Sequence, residues 1–107
     1  MPLNSKLIKQ ETINIADILF EKNIDLIYGG AKIGIMGIIS NRMMEKGGKV
    51  TGIIPKILVK KEVINNNITK LIVVNSMHER KKMMYDHADA FIILPGGIGT
   101  LEELSEI

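Results

Sequence analysis

Short runs of branched apolar residues, each stopped by glycine or proline, alternate along this chain with longer segments of helical periodicity. No other feature constrains the fold as strongly, because strands separated by helices pair in parallel and are covered on both faces. The runs are Ile24 to Tyr28 before Gly29-Gly30, Lys49 to Ile54 before Pro55, a shorter Leu71 to Val74, and Ala90 to Leu94 before Pro95. Helical patterns lie over residues 5–22, Ile33 to Lys46 and Ser76 to about Ala88, and a further helix is expected from Leu101 onward. Residues 56–70 read as a connector, with Asn65-Asn66-Asn67 as a surface turn. The predicted order is α-β-α-β-(β)-α-β-α, an α/β fold with a parallel sheet flanked by helices. About one residue in five is isoleucine, which suits buried strands. There is no internal repeat or linker, so residues 1–107 are expected to form a single domain.

Composition removes several classes of function. The chain has no cysteine, which excludes disulfides, thiolate zinc sites, iron–sulfur ligation and a cysteine nucleophile. Two histidines are too few for a histidine-built metal site without carboxylate help. Lys+Arg exceed Asp+Glu by 14 to 12, and this dispersed net +2 gives no argument for nucleic acid or an acidic membrane surface. No apolar run reaches the ~18–20 residues of a membrane span. The opening Met1-Pro2-Leu3-Asn4-Ser5-Lys6 lacks the order of a signal peptide, so a cytoplasmic location is expected.

Three segments carry chemical information. Leu94-Pro95-Gly96-Gly97-Ile98-Gly99-Thr100-Leu101-Glu102-Glu103 places three glycines and a threonine between a strand and an expected helix start. Glycines let backbone approach a ligand, and free N–H groups at a helix N-terminus suit a phosphate. The same residues also read as a plain turn, with Thr100 and Glu103 spaced as a capping box. The second segment is Ser76-Met77-His78-Glu79-Arg80-Lys81-Lys82-Met83-Met84. Arg80 and Lys81 fall early in a helix, near the carboxyl edge of the sheet where open α/β sheets bind ligands. An arginine there can fork onto a phosphate or orient a carboxylate, although most short charge runs are solvated faces. The methionines fit packing, and His78 has no partner at ligand spacing. The third segment, Tyr28-Gly29-Gly30-Ala31-Lys32-Ile33-Gly34-Ile35-Met36-Gly37, follows a strand and opens a helix. Its glycines do not follow G-x-G-x-x-G, and no acidic residue ends the next strand, which disfavours a dehydrogenase.

Together these segments resemble the Lonely guy family, phosphoribohydrolases long mislabelled as lysine decarboxylases. The family pairs an M-H-x-R-K helix with a P-G-G-x-G-T-x-x-E loop, and both patterns stand here, at Met77 to Lys81 and Pro95 to Glu103. Tyr28-Gly29-Gly30, Gly34 to Gly37 and Gly47 to Pro55 are also similar, with Ala31 where the family usually has a third glycine. The resemblance covers nearly the whole chain and implies a Rossmann-like fold. It implies hydrolysis of the N-glycosidic bond of adenosine 5′-monophosphate or an N6-substituted form, releasing the base and ribose 5-phosphate. Position by position, Arg80 and Glu103 match the catalytic pair, Gly96, Gly97, Gly99 and Thr100 match the phosphate cradle, and Ile98 and Leu101 match substrate-binding positions beside it. Glu102 and Lys81 match further binding positions, and Glu62 matches a ligand-binding acid. No metal or organic cofactor is implied.

The chemistry agrees with these residue types. Cleavage of a ribosyl bond passes through an oxocarbenium-like state, which a carboxylate such as Glu103 stabilises while orienting or deprotonating water. A pyridoxal-dependent decarboxylation would need a Schiff-base lysine, and nothing singles one out. The resemblance also implies a central strand before residue 5, lying between the strands at 24–28 and 90–94, and further structure after residue 107. The expectation is therefore an internal piece with a gap in its sheet, prone to aggregate alone, from a parent that is a homodimer or larger. A non-catalytic nucleotide- or phosphate-binding module and an inactive remnant remain as alternatives.

Overall fold

The structure is a computed structural model that describes residues 5–60, 64–94 and 97–103, with Ser5 and residues 97–103 described by their backbone. The elements are α1 (Ser5–Glu21), β1 (Ile24–Tyr28), α2 (Gly34–Lys46), β2 (Val50–Pro55), a 3-10 turn (Lys56–Leu58), β3 (Lys70–Val74), α3 (Met77–His87), β4 (Ala90–Leu94) and β5 (Gly97–Glu103). Through β4 the order is the one the alternation predicts.

Local chemistry accounts for the helix ends. In α1, Thr12, Ala16 and Leu19 recur on one face and are buried, and the Thr12 hydroxyl donates to the Ile8 carbonyl at 2.7 Å. Helix α2 stops at Gly47, whose φ of 93° is the left-handed conformation that glycine adopts most cheaply. The Gly48 N–H then closes the helix on the Met43 carbonyl at 2.8 Å. At the start of α3 the Ser76 hydroxyl accepts from the Glu79 N–H at 3.1 Å, and the Glu79 carboxylate accepts from the Asn75 N–H at 2.8 Å. The reciprocal cap expected at Thr100 and Glu103 is thus found here instead.

The sheet order is β3-β2-β1-β5-β4. Strands β1, β2 and β3 pair in parallel, with Leu26 opposite Val50 and Ile53 opposite Ile72. Helices α1 and α2 cover one face through Ala16, Leu19, Met36, Ile39 and Met43, packed on Leu26, Tyr28 and Val50. Helix α3 covers the other, with Met83 and Met84 against Ile27, Ile53 and Val74. Neighbours in β1 therefore face opposite layers, which is why the strand reads as an unbroken apolar run. An ion pair ties α1 to α2: the Arg42 guanidinium donates to both Asp17 carboxylate oxygens, at 2.7 and 3.2 Å. That hydrogen bonding holds the Asp17 carboxyl below its ordinary value, against partial desolvation, with the charges of Arg42 and Lys46 assisting.

Two expectations are corrected. Residues 97–103 do not form a ligand loop leading into a helix at Leu101; they form β5, antiparallel to both neighbours. Nor does the sheet hold a gap between β1 and β4 among the described residues, because β5 fills it. The backbone groups along the facing sides of β1 and β4 would otherwise lack partners. Thr100 pairs with Ile27 on one side and Phe91 on the other, and Leu101 pairs with Leu26 and Ala90. A short helical pattern has little to set against two ladders. Strand β4 is also less buried than its composition suggests, with Phe91 and Ile93 exposed.

Candidate functional site

The site starts at the carboxyl ends of β1 and β2, where the parallel strands deliver their last carbonyls to one edge. Arg80, in the first turn of α3, reaches over that edge. Its Nε–H donates to the Ile53 carbonyl at 2.9 Å and its Nη2 to the Gly29 carbonyl at 3.0 Å. The guanidinium thus bridges two strands from a third element, and its Nη1 lies 3.9 Å from the Met77 sulfur. Gly29 is required for this contact, because a Cβ there would collide with the Arg80 Nη2.

Beside Arg80 opens a cleft of about 600 Å³, walled by Met77, Met84, Tyr85, Phe91 and Ile93, with Gly29, His78 and Lys81 also lining it. Tyr85 and Phe91 meet edge to face, with centroids 5.2 Å apart. The cleft is an apolar slot with cationic groups at its rim. That suits a flat, weakly polar ring carrying an anionic substituent.

The turn after β1 is fixed by three donors from three places. The Gly29 carbonyl accepts from Arg80, the Gly30 carbonyl from the Asn65 N–H at 2.9 Å, and the Ala31 carbonyl from the Tyr28 hydroxyl at 2.7 Å. Burial pushes the Tyr28 hydroxyl up in pKa, with Ser40 and Asn65 opposing that shift through hydrogen bonds. Asn65 is 1% exposed, so the expected surface turn at 65–67 is corrected at its first residue. Three consecutive asparagines read as solvent-facing, and nothing in the pattern marks the first as the one whose amide goes inward.

Of the residues named from sequence, Arg80 and Lys81 come together at the cleft. Gly97, Ile98, Gly99, Thr100, Leu101, Glu102 and Glu103 lie on β5, and Glu62 and Gly96 lie outside the described residues. The register places Gly97, Ile98 and Gly99 beside β4 and beyond the pairing with β1, at the edge that carries Gly29. It takes Glu103 the other way: its backbone pairs with Ile24 at the opposite end of β1. Ile24 and Gly29 are five residue steps apart along the strand, about 16 Å at an ordinary strand rise. Arg80 and Glu103 are therefore not adjacent in this arrangement. His78 is exposed, and no cluster of histidine, aspartate and glutamate that could hold a metal occurs among the described residues.

The fold is α/β, and a sheet edge of this kind, with an arginine bridging two strands beside an apolar cleft, is where open α/β sheets bind small ligands. The family model described as "possible lysine decarboxylase" matches residues 36–107, and the chain belongs to that family, the one its Lonely guy resemblance points to. Among curated relatives, the cytokinin riboside 5′-monophosphate phosphoribohydrolase LOG2 of Arabidopsis thaliana is 50% identical over 95 residues, covering 89% of this chain and 45% of the relative. LOG1 of the same plant is 46% identical over 99 residues, covering 92% and 46%. The enzyme of that name from Oryza sativa subsp. japonica, LOG, is 47% identical over 95 residues, covering 89% and 39%. The chain thus spans about half the length of the curated relatives it matches, or somewhat less. Among the described residues, no helix is long and apolar enough to cross a membrane.

Proposed function

We propose that this chain belongs to an enzyme that hydrolyses the N-glycosidic bond of adenosine 5′-monophosphate or its N6-substituted forms. The products are adenine or a cytokinin base and ribose 5-phosphate. The observation that carries the reading is Arg80, fixed on two strand-end carbonyls beside an apolar cleft. The chain holds this residue together with an intact P-G-G-x-G-T-x-x-E segment. The names of the relatives support the substrate class.

In the proposed reaction the base occupies the apolar cleft and Arg80 faces the phosphate or the catalytic carboxylate. The C1′–N9 bond breaks with its electron pair leaving on the base. Glu103 stabilises the oxocarbenium-like charge and takes one proton from the water whose oxygen bonds to C1′. That proton then passes, directly or through solvent, to the departing base, which leaves neutral and returns Glu103 to its carboxylate form. Gly96, Gly97, Gly99 and Thr100 hold the 5′-phosphate, with Glu62, Lys81, Ile98, Leu101 and Glu102 as further substrate contacts. No step calls on a metal or an organic cofactor. Pairing Arg80 with Glu103 requires residues 97–103 to leave the place between β1 and β4. The active form is a homodimer or larger, acting in the cytoplasm.

The register that separates Glu103 from Arg80 favours a second reading, a nucleotide-binding module without catalysis. Adenine release from AMP and from N6-isopentenyl-AMP distinguishes the two, measured on this chain and on the chain extended to the length of its relatives. Turnover that falls ~100-fold or more in Glu103→Gln, at nearly unchanged affinity, supports the hydrolase. Nucleotide binding without release of adenine from either form supports the module.

A further inference from the structure

We propose that Asn65 is a positioning residue for Arg80, acting through the turn at Gly29, Gly30 and Ala31. Its catalytic meaning rests on the reading of Arg80 given above; its structural content does not.

The argument starts from a buried amide. Asn65 lies in the connector between the 3-10 turn and β3, yet only 1% of it is exposed, and burying an amide without partners is costly. Every polar group of its side chain is used. Nδ2 donates to the Asn41 Oδ1 at 2.9 Å and to the Ser40 hydroxyl at 3.3 Å, both on α2. Oδ1 accepts from the Asn67 N–H at 3.0 Å, which folds the connector back on itself. With its side chain fixed in this way, the Asn65 backbone N–H meets the Gly30 carbonyl at 2.9 Å, and Ala31 bridges to Ile64 alongside. One residue therefore fastens the turn after β1 to α2.

The next carbonyl back along that turn belongs to Gly29, and it holds Arg80 Nη2. A glycine pair has little stiffness of its own, so the direction of the Gly29 carbonyl is set by what holds its neighbours. Tyr28 holds Ala31 and Asn65 holds Gly30. Releasing Asn65 frees the middle of three consecutive anchored carbonyls, and the guanidinium loses a fixed acceptor. The Ile53 carbonyl, on β2, is untouched and keeps Arg80 near the edge but free to turn.

Solvent exchange of the Arg80 Nη2 protons, which donate to the Gly29 carbonyl, followed by ¹⁵N NMR on this chain, is the test. It reads the orientation of Arg80 without any catalytic turnover. In Asn65→Ala exchange is expected to quicken by ~10-fold or more, the scale of one lost hydrogen bond to a charged group, while the protected backbone amides of β1 and β2 keep the rates of the parent. Asn41→Ala, at an exposed helical position, removes one of the two α2 acceptors and keeps the fold in case the buried substitution does not. It is expected to move the same signal in the same direction by less. An Arg80 signal unchanged in both variants overturns the proposal. So does one that quickens only in step with the β1 and β2 amides, which would make Asn65 a stability residue alone. Adenine release is read separately, so failure of the hydrolase reading leaves this result standing.

Discussion

Lysine in place of Arg80 keeps the charge and most of the length but loses the planar fork that meets the Ile53 and Gly29 carbonyls together. An ammonium can satisfy one of these acceptors well and the other poorly. Arg80→Lys is expected to cost about 2 kcal/mol of stability, seen in urea unfolding as a lower midpoint at unchanged slope. A midpoint within error of the parent would show that the strand-end bridge contributes nothing to the fold. Arg80 was legible in the sequence because its neighbours form a distinctive string and because early helix positions after a strand lie at a ligand-binding edge. Asn65 was not. Its role depends on Ser40 and Asn41, which sit on a helix 25 and 24 residues earlier and come close only through the packing of α2 on the sheet.

Among the elements, β5 departs furthest from expectation. The four strands read from alternation formed where predicted, because a two-sided apolar run has few other places to go. Residues 97–103 carry glycine, threonine and two glutamates, a pattern that locally fits a loop and helix start. The ladder partners on β1 and β4 that make it a strand lie elsewhere in the chain and leave no local trace. Thr100→Pro tests this arrangement directly, since Thr100 pairs on both sides and proline removes a donor from the middle of a sheet. A loss of about 3 kcal/mol or more is expected, read by urea unfolding. A small effect would mean that the central position is not held by this segment. The α1–α2 contact makes a different prediction. Because Arg42 holds the Asp17 carboxyl below its ordinary value of 3.8, the pair contributes stability above that pH. The contribution is lost as pH falls through the lowered folded value. Asp17→Asn is expected to be less stable than the parent at neutrality, with the gap closing as the solution is acidified through the carboxylate range. A constant gap across that range would assign the difference to packing rather than charge.

At the scale of the molecule, the apolar surface is uneven. Ile93 is 76% exposed and Tyr85 61%, and with Phe91 and Met77 they crowd the mouth of the cleft. A patch of this kind promotes association in water. The sedimentation coefficient of the parent is expected to rise with concentration, and Ile93→Lys to suppress that rise while preserving the helical circular dichroism. Equal behaviour of the two would clear this patch of any part in assembly.

The position of β5 also bears on how the chain is made. Strands β1, β2 and β3 have one another as partners once Val74 has been synthesised, but the other side of β1 waits for residues 100–103. At ordinary elongation rates that interval is on the order of seconds. Throughout it a nascent chain presents an open strand edge beside Ile24 and Leu26, at the site where another nascent copy could pair. Soluble yield should then follow the pace of the ribosome between residues 74 and 103, with rare codons in that stretch depressing it even though they leave the finished protein unchanged.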